Sequence, residues 1–284
     1  MFHRNIETTL IFLLLTVAVI LLWACAPKKP AKAVVTVSIL PQRWLLRQLA
    51  GDRVEVQVMV PPGASPEAYD PAPGDVVRLA RSSAYFAVGG LGFERAWMPR
   101  FAEQNETMAV VDTSAGIGHL AGDGDDGADP HVWTSPRLLM QMARNMRDGL
   151  CRAFPADSAL FAANCAALEL RLLDLDARIR RQVAISRART FIIYHPALSY
   201  FARDYGLRQL AVEHGHREPS AATMLALVDE VRASDARVLL MQQEYDARLV
   251  ATLAEETGLR VVSVNLLAED IETELMRIVL ELTR

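Results

Sequence analysis

Cysteine is scarce: three in 284 residues, with no Cys-x-x-Cys pair, too few for a disulfide framework and a poor match to a structural zinc knuckle. Basic charge is not in excess either. The 30 Lys and Arg face 34 Asp and Glu, for a net charge of −4, and no basic stripe or aromatic-interleaved Lys/Arg cluster occurs, so nucleic acid is not an expected partner. The chain has no HExxH, no GxSxG and no phosphate loop of the GxxxxGKS type, which removes the hydrolases and nucleotidases that carry those motifs. The apolar run from Leu10 to Leu22, broken at Thr16, is shorter than the roughly 18 to 20 residues a spanning helix needs.

That run follows His3 and Arg4 and precedes Trp23, Ala24 and Cys25, the layout of a signal peptide. Leu22-Trp23-Ala24-Cys25 resembles the bacterial lipoprotein cleavage box, with Trp23 where a small residue is usual. The expectation is a leader over 1–25, lipidation at Cys25, a tether over 26–33, and a body anchored to membrane by its acyl chains at the outer face of a bacterial membrane or in the periplasm. In that oxidising space Cys151 and Cys165 could pair if their helices are antiparallel neighbours. Against the pair, Cys165 falls on a buried stripe, where a free cysteine is a small hydrophobe.

The stripe belongs to a stretch from Asp157 to Ser186 that contains neither Gly nor Pro. Phe161, Cys165, Leu168, Leu172, Leu175, Ile179 and Val183 recur at steps of three and four, the signature of one buried face on a long helix. Roughly 30 residues would extend about 45 Å, the length of a strut. On both sides of it, short β-branched or apolar runs alternate with helical patterns: Val34 to Leu40, Val54 to Val60, Ala84 to Val88 and Met108 to Val111 before it; Thr190 to Tyr194, Leu207 to Val212, Val238 to Met241 and Arg260 to Val264 after it. Such alternation predicts an α/β protein of two Rossmann-like lobes with parallel sheets, over 34–155 and 189–284, joined by one long rigid helix over 156–188.

In parallel sheets, ligands gather beyond the carboxyl ends of the strands. Glu67 lies there in the first half, and His195, Glu244 and Asn265 follow different strands of the second. His131 stands between Pro130 and a helix start at Ser135 and Pro136, which fixes its direction. Two imidazoles with carboxylates are a donor set for zinc, manganese or ferrous iron. The polar loop from Asp112 to Asp129, with His119, Asp123, Asp125 and Asp126, lacks the EF-hand register and reads as solvated. A metal-dependent hydrolase with an open coordination position remains a second reading of the same residues.

Four blocks narrow the choice. Residues Pro62 to Pro71 (PGASPEAYDP), Asp129-Pro130-His131-Val132-Trp133, Tyr194 to Phe201 (YHPALSYF) and Val264-Asn265-Leu266-Leu267 resemble, in order, the signature blocks of the zinc/manganese solute-binding proteins of ABC importers, the cluster A-I or TroA-like periplasmic binding proteins. The resemblance covers the chain from about Val34 onward. It implies two (βα)4 lobes joined by a rigid helix, and a divalent transition metal held between them by one residue of each block. It further implies delivery to an ABC permease and its ATPase by a monomeric, non-enzymatic receptor. Zinc is favoured, with manganese or iron open.

The chain departs from the family at three points. Glu67 stands where His is usual, Asn265 where Asp is usual, and the loop that is often His-rich has only His119. Glu244 could supply the missing carboxylate. By the same resemblance Tyr69, Asp129 and Glu213 could orient ligands, although ordinary loop packing is the commoner role for such residues; His214 and His216 face the same end of the sheet and could relay metal. A receptor of the same architecture for a siderophore- or corrinoid-chelated metal is the alternative, although its cleft would need Arg and aromatic walls rather than His and Glu.

Overall fold

The strut forms where the sequence puts it. In a computed structural model that describes residues 32–122, 127–215, 219–245 and 247–284, a helix runs over Ser158–Ile185, and the seven stripe residues are its buried ones. Each such side chain contributes about 1.5–3 kcal/mol of burial. The expected leader, Cys25, and Asp123, Asp125, Asp126, His216 and Glu218 lie outside the described residues.

Ahead of the strut come β1 (Ala33–Val37), α1 (Leu40–Ala50), β2 (Val54–Val58), α2 (Pro73–Leu79), β3 (Ser82–Ala87), α3 (Gly92–Gln104), β4 (Ala109–Asp112) and α4 (Pro136–Ala153). The strut is α5. After it come β5 (Thr190–Ile193), α6 (Ser199–Tyr205), β6 (Arg208–Ala211), α7 (Ala221–Arg232), β7 (Val238–Gln242), α8 (Ala247–Thr257), β8 (Arg260–Val264) and α9 (Ile271–Leu282). Both sheets are parallel, in the orders β2-β1-β3-β4 and β6-β5-β7-β8. The strand order reverses between β1 and β3 and again between β5 and β7, and the crevice beyond the strand ends at such a switch point is where ligands bind.

Helix starts follow local chemistry. Ser135 accepts a hydrogen bond from the Leu138 N–H while Pro136 occupies the first turn of α4, and Ser220 caps α7 through Thr223. Residues Ala33–Arg284 form one compact unit. A continuous apolar core passes from the first sheet through α1, α4 and the strut to α6, α9 and one face of the second sheet; α7 and α8 cover its other face with a separate cluster around Ile192, Leu239 and Leu253.

Polar ties cross from one half to the other. Arg43 and Arg47 of α1 both reach Glu269, and Arg171 of the strut joins Gln48 to Glu272. Hydrogen bonds fasten the segment that carries His131 to the second half: among them, the Tyr200 hydroxyl donates to the Asp129 carbonyl (2.6 Å), the Trp133 indole N–H to the Leu266 carbonyl (2.8 Å), and the Ser135 hydroxyl to Asp204 (2.5 Å).

The two cysteines that the sequence leaves open to pairing are not joined. Cys151 and Cys165 are both free thiols; Cys151 turns toward the Ser158 carbonyl and Cys165 toward Glu169, 3.5 Å away. Although α4 and the strut pack together, each sulfur finds its partner along the strut's own backbone or side chains. Burial pushes the Cys165 thiol up to about 11, the behaviour of an inert core group.

Candidate metal centre

Three ligand atoms converge between the two sheets. Glu67 arrives from the loop after β2, His131 from the turn before α4 and His195 from the end of β5, and one ligand atom of each lies within 4.8 Å of the others. The His131 and His195 Nε2 atoms are 3.3 Å apart, and His131 Nε2 is 3.5 Å from Glu67 Oε1.

The two rings are oriented from behind. Asp129 Oδ1 is 2.7 Å from His131 Nδ1, and Glu213 Oε2 is 2.7 Å from His195 Nδ1. With Nδ1–H donating to a carboxylate, each ring presents the Nε2 lone pair inward, the tautomer a metal ligand requires. Two neutral rings so placed repel at 3.3 Å unless a proton or a metal cation lies between them. Glu67 Oε1 makes the same demand: it is buried without a hydrogen-bond partner among the described residues, while Oε2 accepts from the Gly92 N–H at 3.3 Å. An ion with bonds of about 2.0–2.1 Å at tetrahedral angles sets its ligand atoms about 3.3–3.4 Å apart, the spacing of the imidazole pair.

The backbone of His195 is gripped by Gln242, whose Oε1 accepts from the His195 N–H and whose Nε2 donates to the His195 carbonyl. Tyr245 stacks on the His195 ring at 5.5 Å and 20°, and its hydroxyl is hydrogen-bonded to Ser65, two residues before Glu67. A cleft of about 510 Å³ opens from the cluster past Arg95, Gln209 and His214.

Residues 35–278 match the family described as "Zinc-uptake complex component A periplasmic". The chain belongs to that family. Among relatives of this zinc-uptake component family, the chain is 27% identical over 272 residues to the zinc-binding lipoprotein AdcA of Streptococcus pneumoniae, covering 89% of this chain and 54% of AdcA, so it spans about half of that relative's length. It is 28% identical over 234 residues to the manganese-binding lipoprotein MntA of Halalkalibacterium halodurans, covering 81% of this chain and 77% of MntA. A crystal structure of ZnuA superposes with a TM-score of 0.85 at 30% identity, covering 89% of this chain and 98% of that one.

The other residues singled out in the sequence are dispersed. Glu244 lines a small cavity beside the three donors but contributes no atom to their cluster, and burial raises its carboxyl pKa. Asn265 is turned away: its Oδ1 accepts from the Leu267 N–H at 3.0 Å, its N–H donates to Glu274, and it lines a separate cavity with Val60 and Gln243. The Tyr69 hydroxyl donates to Asp75 at the head of α2 rather than orienting a ligand. His119 is exposed, with Nδ1 3.2 Å from the Asp129 carbonyl, and His214 lines the cleft. Sequence reasoning passed over Gln242, Tyr245, Gly92 and Glu94; Gln242 ends β7 and Tyr245 lies in the loop after it, and only their place at that strand end points to them.

The two imidazoles differ in proton affinity. Burial disfavours the charged form of His131, but the hydrogen bond and charge of Asp129 and the charge of Glu67 outweigh it and raise the pKa. For His195 burial dominates over the Glu213 hydrogen bond, the charge of His131 adds to it, and the pKa is lowered. A raised histidine pKa stabilises the ion-free fold fully below the unfolded value of about 6.5, and that contribution is lost as pH rises through the folded value. A metal must displace the same proton. Apparent affinity is therefore expected to climb about tenfold per pH unit up to the raised His131 value and then level off. Calorimetry in buffers of different ionisation enthalpy checks this: about one proton is released per ion in that window, and a flat profile across it would contradict the assignment.

Proposed function

We propose that the protein is an extracytoplasmic solute-binding component of an ABC importer, which captures a divalent transition metal in the cleft between its lobes and delivers it to a membrane permease and its ATPase. It catalyses no reaction; the metal is cargo. The observation that carries this reading is the pair of Nε2 atoms, 3.3 Å apart with a carboxylate behind each ring, beside a buried Glu67 oxygen that has no hydrogen-bond partner among the described residues. Membership of the zinc-uptake component family supports it.

His131, His195 and Glu67 are the ligands, with the fourth position left to water or to a shift of Glu244. Zinc is the favoured cargo because the imidazole spacing fits a tetrahedral ion with short bonds. Manganese prefers oxygen-rich, higher-coordinate sites and would find only one protein oxygen in the cluster. The mature protein begins at a lipidated Cys25 on the outer face of a bacterial membrane, continues through a tether to residue 33, and acts as a monomer with lobes over 34–155 and 189–284.

Elemental analysis of the chain from Ala26 onward, with competitive zinc and manganese titration, tests the reading. One zinc per chain is expected, displaced only by a large excess of manganese. A preparation that takes up no transition metal, or one that prefers manganese, would overturn the respective part.

A further inference from the structure

Glu67 is the oxygen donor of the cluster, and its other carboxylate oxygen is held by a backbone N–H rather than by a side chain. Its Oε2 faces the N–H of Gly92, the first residue of α3, and the next N–H, of Phe93, donates to the Pro66 carbonyl at 3.3 Å. The approach is close: a Cβ on Gly92 would sit 2.2 Å from the Glu67 carbonyl oxygen. Gly92 is therefore both the hydrogen-bond donor and the wall against which the Glu67 loop rests.

What sets the position of Gly92 is a second carboxylate. Glu94 is 3% exposed, and the turn before α3 is folded around it. Val88 N–H donates to Oε1 at 2.7 Å, and the N–H groups of Gly89, Gly90 and Leu91 donate to Oε2 at 2.9, 3.0 and 3.3 Å; the Ser38 hydroxyl also donates to Oε1. Successive N–H groups can converge in this way because Gly89 and Gly90 have φ of 96° and 130°, which other residues rarely adopt. Glu94 thus fills the anion-binding concavity at the head of α3 and leaves the Gly92 N–H for Glu67.

We propose that Glu94 is a positioning residue for the metal site: through the Val88–Gly92 turn it places the N–H that aims Glu67 Oε1 at the ion. The proposal rests on Glu67 being a ligand. In Glu94→Gln the side chain keeps its shape but presents an NH₂ to the N–H groups of the turn, which must then shift. The expected result is zinc affinity weakened about 10- to 100-fold, the range for a group that orients a ligand.

A double-mutant cycle in the full chain, read by competition with a chromophoric zinc chelator, decides the matter. Glu94→Gln should weaken binding when Glu67 is present and change it by less than about threefold in the Glu67→Gln background, because the group it positions is already gone. Equal losses in both backgrounds would assign Glu94 a general structural role and overturn the proposal, as would unchanged affinity in Glu94→Gln. If Glu67→Gln alone binds zinc like the parent, the assignment of Glu67 fails and the proposal falls with it. Should Glu94→Gln not fold, Gly92→Ala replaces it in the same cycle, since the added methyl displaces the Glu67 loop directly and the same outcomes apply.

Discussion

Replacing His131 with alanine is expected to weaken zinc binding by about 10²–10⁴-fold, and His195→Ala by a similar factor. Structural zinc sites bind with about 10–16 kcal/mol, so one donor in three carries roughly 3–5 kcal/mol, at about 1.4 kcal/mol per tenfold. The loss should exceed that of a group that merely orients a ligand, because a donor atom itself is removed and the buried carboxylate behind each ring, Asp129 or Glu213, loses its imidazole as well. Asn265→Ala and Glu244→Ala should each change affinity by less than about tenfold, as befits side chains outside the cluster. Competitive titration of the variants distinguishes the two classes. If Asn265→Ala costs as much as His131→Ala, the amide rotates into the site on binding and the three-donor assignment is wrong.

The second large effect is on stability. A ligand that binds only the folded chain stabilises it by about 4.1 kcal/mol when present at a thousandfold excess over its Kd. In a body of this size each kcal/mol moves the melting temperature by about 2–4 °C, so zinc should raise it by roughly 8–16 °C. Part of the gain has a local source. The ion-free site confines the carboxylates of Glu67, Asp129 and Glu213 around two rings, of which only His131 readily takes up a proton. Scanning calorimetry with and without zinc measures the shift. His131→Ala should show little of it, and a full shift in that variant would mean that zinc stabilises the chain from another place.

Local patterns were legible where one residue's neighbours along the chain decide its environment. The strut is such a case, since its stripe is written at helical spacing and nothing interrupts it. The strand ends were legible too, and with them His195, because an apolar run that stops at a His-Pro pair has few other readings. His131 was directed by Pro130 and the cap at Ser135. The rest depends on contacts between distant segments. Gln242 grips a backbone 47 residues earlier, and no spacing rule links a glutamine to a peptide group in another strand. Asn265 looked like a weak oxygen donor because its position in its block suggested one; the structure shows its oxygen engaged two residues on, a local turn that asparagine favours. For Cys151 and Cys165, helix adjacency permits a pair and the buried stripe argues against one; neither says from which side of each helix the sulfur projects.

The ties that bind the Asp129–Ser135 segment to the second half have a mechanical meaning. His131 precedes the strut in the chain, yet Tyr200, Trp133 and Ser135 couple it to the same body that carries His195. His131 is thus clasped from both sides, since its segment also opens α4, which packs on β3, β4 and the strut. Any slippage of the halves would therefore pull on the hinge pin itself, the turn at His131, as well as on the reach of Glu67.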